Sequence, residues 1–283
     1  MTPEAVAAAI RSACLAELDA LKPGNVHRFA GGHDMSVADF EASAAAIAPV
    51  MARPGMTVGE RIFRSVQATH DAVGCNTNLG IVLLAAPLAA AATRAGTGDL
   101  RPRLHDVLAR LDRRDAEQAY AAIRLAAPAG LGDAPAHDVN RAADVGLRDA
   151  MAAAADRDRI ARQYVTDYAD VFEHGVPVLH AETARGRPEI WAISAVYLTF
   201  LADFPDSHVA RKFGMAEADA LRGRAAPIRD RFMAAADAET MTSALLDLDR
   251  ALKAEGRNPG TSADLTVATL IVDRLRRSSD ASG

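Results

Sequence analysis

Apolar positions recur at helical spacing along most of the chain, and the breaks between these stretches carry turn and capping residues. Thr2-Pro3 supplies a cap and a first-turn proline for a helix running to about Leu21, with Val6, Ile10, Ala13 and Leu18 near one face. Ser36-Val37-Ala38-Asp39 and Thr57-Val58-Gly59-Glu60 have the form of capping boxes, and after the second Ile62, Val66 and Val73 continue the helical period. Leu79 to Thr93 is apolar almost all round, which predicts a central buried helix kinked at Pro87. Arg101 to Arg114 reads as a solvated face and a turn, and Pro128 to His137 as a loop-forming insert. Arg157–Phe172, Glu189–Ala202, Met215–Ala236 and Thr240–Glu255 read as amphipathic helices, and a last helix is expected after Asn258-Pro259-Gly260-Thr261-Ser262. With no strand alternation and no repeat, the pattern predicts one all-α domain spanning residues 1–283.

Composition sharpens this picture. Half of the 283 residues are hydrophobic but only 5% are aromatic, so alanine and leucine carry the packing, which favours close helix–helix contacts. A net charge of −5 argues against a nucleic-acid surface, and local basic clusters can still meet an anionic ligand. The two cysteines, Cys14 and Cys75, provide neither a disulfide framework nor a metal spacing. The N-terminus lacks a signal-peptide pattern and the longest apolar run is too short to span a bilayer, so a cytoplasmic protein with no membrane partner is expected. Apolar helices with exposed alanine suit a homodimer.

The chemistry concentrates in five polar islands. Lysine is scarce, three of 32 basic residues, and two of the three sit in glycine loops beside His, Asn or Asp. The first island runs from Lys22 to Asp34 and offers Lys22, Gly24, Asn25, His27, His33 and Asp34, a set of donors suited to phosphate oxygens, although an ordinary helix connection also fits. The second, Gly74-Cys75-Asn76-Thr77-Asn78-Leu79-Gly80, puts Asn76, Thr77 and Asn78 ahead of the apolar helix, where N–H groups attract anions and where Asn and Thr are also common caps. The third, Pro128 to Val139, contains Asp133, a carboxylate on a glycine loop that could hold Mg²⁺ with substrate phosphates. The fourth, Asp203 to Gly214, combines Asp206, His208, Arg211 and Lys212: an acid/base histidine beside a carboxylate, with two cations within a turn. The fifth, Asn258 to Asp264, runs a glycine loop into a helix, with Ser262 as a ligand donor and Asp264 as a second Mg²⁺ candidate. It is not a Walker sequence.

Lys22-Pro23-Gly24, Gly74-Cys75-Asn76-Thr77-Asn78-Leu79-Gly80 and Pro259-Gly260-Thr261-Ser262-Ala263-Asp264-Leu265, taken in order, resemble the triphosphoribosyl-dephospho-CoA synthases. The resemblance covers nearly the whole chain. It implies an all-α fold and transfer of the triphosphoribosyl group of ATP to the 2′-hydroxyl of 3′-dephospho-CoA, with adenine leaving. It also implies a phosphorylated small-molecule substrate and Mg²⁺. On this reading Lys22, Arg211 and Lys212 neutralise phosphates, Asn76 and Thr77 orient triphosphate or ribose, and His208, oriented by Asp206, moves the proton. The chain departs from the family pattern at Asn78-Leu79, at the Pro128–Val139 insert and at Asp206-Ser207-His208…Arg211-Lys212-Phe213-Gly214. These departures resemble a subgroup near methanopterin- and methanofuran-type C1-carrier pathways and keep such a biosynthetic role as an alternative. A non-catalytic helical binding protein is a third.

Overall fold

The computed structural model describes residues 1–30, 35–94, 98–130, 132 and 134–280. These form α-helices, with no strand among the described residues beyond an isolated bridge between His27 and Ala30. In order they are α1 (Pro3–Asp19), α2 (Val37–Met51), α3 (Val58–Val73), α4 (Leu79–Thr93), α5 (Leu100–Leu108), α6 (Arg113–Ala126), α7 (Leu147–Ala152), α8 (Arg159–Val165), α9 (Val176–Ala184), α10 (Glu189–Asp203), α11 (Ser207–Phe213), α12 (Met215–Ala234), α13 (Thr242–Ala254) and α14 (Gly260–Asp280). A π-helical turn, Asp170–Gly175, precedes α9, and a 3₁₀ turn, Ala238–Met241, precedes α13. No helix among the described residues is long and apolar enough to cross a membrane. The chain divides into two compact units, one of residues 1–13, 39–169 and 271–283, the other of residues 14–38 and 170–270.

In the first unit α4 is buried from Ile81 to Ala89, as its apolar sequence predicts. Pro87 lacks the N–H that would meet the Leu83 carbonyl one turn back. The Tyr164 hydroxyl donates to that carbonyl at 2.6 Å, and the Tyr168 hydroxyl donates to the Leu84 carbonyl at 2.9 Å. Both tyrosines are fully buried, so the broken helix ladder is repaired from a distant part of the chain. Helix α3 begins at the expected capping box, in which Thr57 accepts from the Glu60 N–H and the Glu60 carboxylate accepts from the Thr57 N–H. Gly59 in its first turn lies against α6: a Cβ there would stand 2.5 Å from the Asp115 Cα, and its N–H donates to Asp115 Oδ1 at 2.7 Å. The stretch from Arg101 to Arg114 is more ordered than the expected solvated turn. It forms α5, which buries Leu104, Val107 and Leu108, and Asp112 then caps α6.

In the second unit α10 is buried on every side from Trp191 to Ala202, rather than on one face as read from sequence. Around it pack Leu21, Val209, Leu221, Phe232, Leu245, Leu248 and Leu252. The expected helix over Arg157–Phe172 ends early. α8 stops at Val165, Asp167 and Tyr168 adopt positive φ of 50° and 58°, and the π turn follows. The last helix starts at Gly260, so Thr261 and Ser262 lie inside its first turn instead of before it.

Candidate functional site

Three of the five polar islands lie in the second unit and are bonded to one another. Lys22, just beyond α1, is fully buried and directs its ammonium to Glu17, to Asn25 Oδ1 at 3.2 Å and to the Val26 carbonyl at 2.8 Å. All three of its N–H bonds therefore end on protein acceptors. Burial pushes the Lys22 ammonium down and the Glu17 carboxyl up, each opposed by the other's charge. The Pro23 carbonyl accepts from the buried Tyr197 hydroxyl at 2.7 Å. Gly24 has φ of 84°, and a Cβ on it would meet Pro259 Cδ at 2.9 Å and the Arg257 carbonyl at 3.1 Å, so only glycine fits the turn without strain. Asn25 Nδ2 donates to Asn258 Oδ1 at 2.8 Å. Lys-Pro-Gly-Asn is thus the inner half of a loop pair whose outer half is Asn258-Pro259-Gly260.

Asp249 on α13 secures the same loop. Its Oδ1 accepts from the Gly24 N–H at 2.8 Å, and its Oδ2 accepts from Lys253 Nζ at 3.0 Å. His27 Nε2 lies 3.2 Å from Asp249 Oδ1, close but poorly aligned for a hydrogen bond. His27 Nδ1 accepts from the Ala30 N–H at 3.2 Å, which leaves the proton of the neutral ring on Nε2, facing the carboxylate. Burial lowers the affinity of His27 for a second proton despite Asp249, with Lys253 and Lys22 adding to the burial effect. Asp249 is held below the usual carboxylate range: burial acts to raise it, but His27, Lys253 and the Gly24 N–H outweigh this. Because the His27 pKa is lower in the folded chain, the unfolded chain binds a proton that the folded one refuses as pH falls below about 6.5. Stability from this group is complete above that pH and declines below it. Thermal melting followed from pH 7.5 to 5.5 should show a falling Tm, with a shallower slope in His27→Gln.

The buried Asp206 ties the fourth island to the fifth. Its Oδ1 caps α11 by accepting from the His208 and Val209 N–H groups at 3.0 and 3.1 Å, and its Oδ2 accepts from both the N–H and the hydroxyl of Ser262 at 2.8 Å. Burial raises the Asp206 carboxyl against these donors. Asp206, expected to orient His208, meets it through the main-chain N–H. The His208 N–H also lies 3.1 Å from Thr261 Oγ1. The half-buried imidazole packs on the start of α14, where a Cβ at Gly260 would come within 2.6 Å of Nδ1. Asp264, also half-buried, is close enough to Lys22 to favour its charged form. Arg211 is half-buried and Lys212 exposed, and the Arg257 guanidinium stacks 3.8 Å over the Phe213 ring.

Asn76, Thr77 and Asn78 belong to the first unit, ahead of α4. Asn76 Oδ1 accepts from the Leu79 N–H at 3.1 Å, Thr77 Oγ1 is 2.6 Å from Ser43 Oγ, and Asn78 Oδ1 accepts from the Thr69 hydroxyl at 3.0 Å. Asn78 stands at the N-cap position without a side-chain cap bond, and its buried Nδ2 has no partner among the described residues. His33, Asp34 and Asp133 lie outside the described residues. Among the described residues no group of three or more His, Cys, Asp or Glu is placed to hold a metal ion.

The second unit therefore brings together Lys22, Gly24, Asn25, His27, Asp206, His208, Ser262 and Asp264. Sequence reading missed Glu17, Tyr197, Asp249 and Lys253. Asp249 and Lys253 carry the i,i+4 spacing of a surface ion pair, and their burial is the only sign that they are otherwise.

No match is found among curated proteins. A solved crystal structure from Archaeoglobus fulgidus, provisionally named a triphosphoribosyl-dephospho-CoA synthase, shares the fold at a TM-score of 0.62. The two chains are 24% identical over 82% of this chain and 96% of that one. Residues 3–282 match the family described as CitG, ATP:dephospho-CoA triphosphoribosyl transferase. A match over nearly the whole length settles membership: the chain belongs to the CitG family of triphosphoribosyl transferases.

Proposed function

We propose that this chain transfers the triphosphoribosyl group of ATP to the 2′-hydroxyl of 3′-dephospho-CoA, using the loop cluster of the second unit. The acceptor oxygen bonds to C1′ of the ATP ribose as the C1′–N9 bond breaks. Adenine leaves with the electron pair and takes a proton, and the acceptor hydroxyl gives one up. The supporting observation is the mutual bonding of Lys22–His27, Asp206–His208 and Asn258–Asp264, segments far apart in sequence, around two half-buried groups able to serve this chemistry. His208 is the proton carrier in this reading, and Asp264 a carboxylate for the oxocarbenium-like centre or for a cation arriving with the triphosphate. Mg²⁺ enters as the counterion of ATP, held by substrate phosphates with one or two carboxylates. Lys22, Asp206 and Asp249 act beneath the surface, fixing the loops that carry these groups.

Purified protein incubated with ATP, Mg²⁺ and dephospho-CoA is expected to release adenine, measured by liquid chromatography. His208→Gln should slow that release by roughly 10²–10⁴-fold with an unchanged melting temperature. Release at the wild-type rate from His208→Gln contradicts the role given to this histidine.

A second reading keeps the scaffold and changes the acceptor to a precursor of a C1 carrier. It is favoured by the departure at residues 206–214, where the Phe213 ring, 36% exposed and backed by Arg257, stands in a segment that is Arg-Gly-Gly in the family pattern. Unchanged pterin and furan cofactor pools after gene deletion contradict it.

A further inference from the structure

We infer that Lys253 supplies the protein's ammonium contact to the phosphate chain of the substrate, an inference that rests on the second-unit site proposed above. The donors of that site narrow the choice. The N–H groups of Gly24, Asn25, Arg28 and Ala30 bond to Asp249, the Lys22 carbonyl, the Leu18 carbonyl and His27, so these amides of the loop are committed within the protein. Lys22 is fully buried with its three N–H bonds on Glu17, Asn25 and Val26. Lys212 is exposed and lies beside Phe213, 5.2 Å from the ring centre.

Lys253 differs from both. Its Nζ donates to the Ala30 carbonyl at 2.9 Å and to Asp249 Oδ2 at 3.0 Å. A third N–H has no acceptor among the described residues, and the side chain remains 14% exposed. Two anchors fix the ammonium in place, so a ligand oxygen meets a positioned donor without the usual cost of ordering a lysine side chain. The anchors come from α13 and from the end of the Lys-Pro-Gly loop, which sets the charge beside His27 and within electrostatic reach of Lys22. A compact ammonium with one open donor suits a phosphate oxygen.

The probe is Mg²⁺-tripolyphosphate, titrated by calorimetry into the full chain. Wild type is expected to bind it, and Lys253→Met to bind it about ten- to a hundredfold more weakly, the worth of one charge-assisted hydrogen bond. Lys253→Arg should recover part of the loss. If Lys253→Met does not fold, Lys253→Gln, which keeps a donor for Asp249, is read by the same criterion. A folded Lys253 variant that binds tripolyphosphate as tightly as wild type overturns the assignment, as does a wild type that does not bind it. Adenine release separates the two ideas. Tripolyphosphate binding that depends on Lys253, in a protein that releases no adenine from ATP and dephospho-CoA, rejects the proposed reaction and keeps the lysine's role.

Discussion

Lys22→Met will lower the unfolding free energy by about 3–5 kcal/mol, the usual cost of removing one partner from a buried ion pair. Methionine fills much the same volume, so the loss comes from charge and hydrogen bonding. Glu17 stays buried at 4% exposure without its cation, and Asn25 Oδ1 and the Val26 carbonyl lose their donor. Because the Asn25 carboxamide also reaches Asn258, the damage spreads to the outer half of the loop pair. Pairing the change with Glu17→Gln removes the stranded charge and should restore a large part of the stability, since a neutral buried pair avoids the desolvation cost. Urea unfolding of the two variants measures this directly. A loss below about 1 kcal/mol in the single variant, as for an exposed pair, contradicts the interior role of Lys22.

The second large effect is expected at Asp206. Alanine there removes the N-cap of α11, worth about 1 kcal/mol, and leaves the buried N–H and hydroxyl of Ser262 without their acceptor, at roughly 1–3 kcal/mol for each unsatisfied group. A total loss of about 3 kcal/mol or more follows from those terms. Asn should fall between Asp and Ala, because its carboxamide oxygen can still cap α11 while its NH₂ cannot accept from Ser262. The same joint sets the His208 ring against Gly260, so adenine release should fall in both variants even at temperatures where they are folded. Equal melting temperatures for wild type and Asp206→Ala contradict the account of this joint.

Much of the helical layout is legible in sequence because its signals are local. The Thr57 capping box and the all-apolar α4 are written in consecutive residues, and both are found where expected. What repairs α4 is not local: Tyr164 lies 81 residues from the carbonyl it serves, and no pattern around Pro87 points to it. The π turn at Asp170–Gly175 and the left-handed pair Asp167–Tyr168 are likewise set by tertiary packing, in residues whose spacing reads as one continuous helix.

For the candidate site, polar residues in loops between apolar helices marked Lys22–His27, Asp206–His208 and Asn258–Asp264. The roles within those loops were harder to read, because they depend on which groups are buried. Lys22 reads as a cation for phosphate and is an interior one, whereas Lys253, which no sequence pattern singles out, keeps a third N–H without an acceptor among the described residues. That Asp206 reaches His208 through the main-chain N–H is not visible in their spacing. Glu17, on the largely apolar α1, is legible only as a helix surface residue until the fold turns Lys22 toward it.

The proposed reaction makes one bond, between C1′ of the ATP ribose and an oxygen of the acceptor. Mass spectrometry of the nucleotide formed from ATP and dephospho-CoA tests it most directly. The expected product is heavier than dephospho-CoA by ATP less adenine, with free adenine in equal amount. Dephospho-CoA recovered unchanged after prolonged incubation with folded protein, ATP and Mg²⁺ would contradict it.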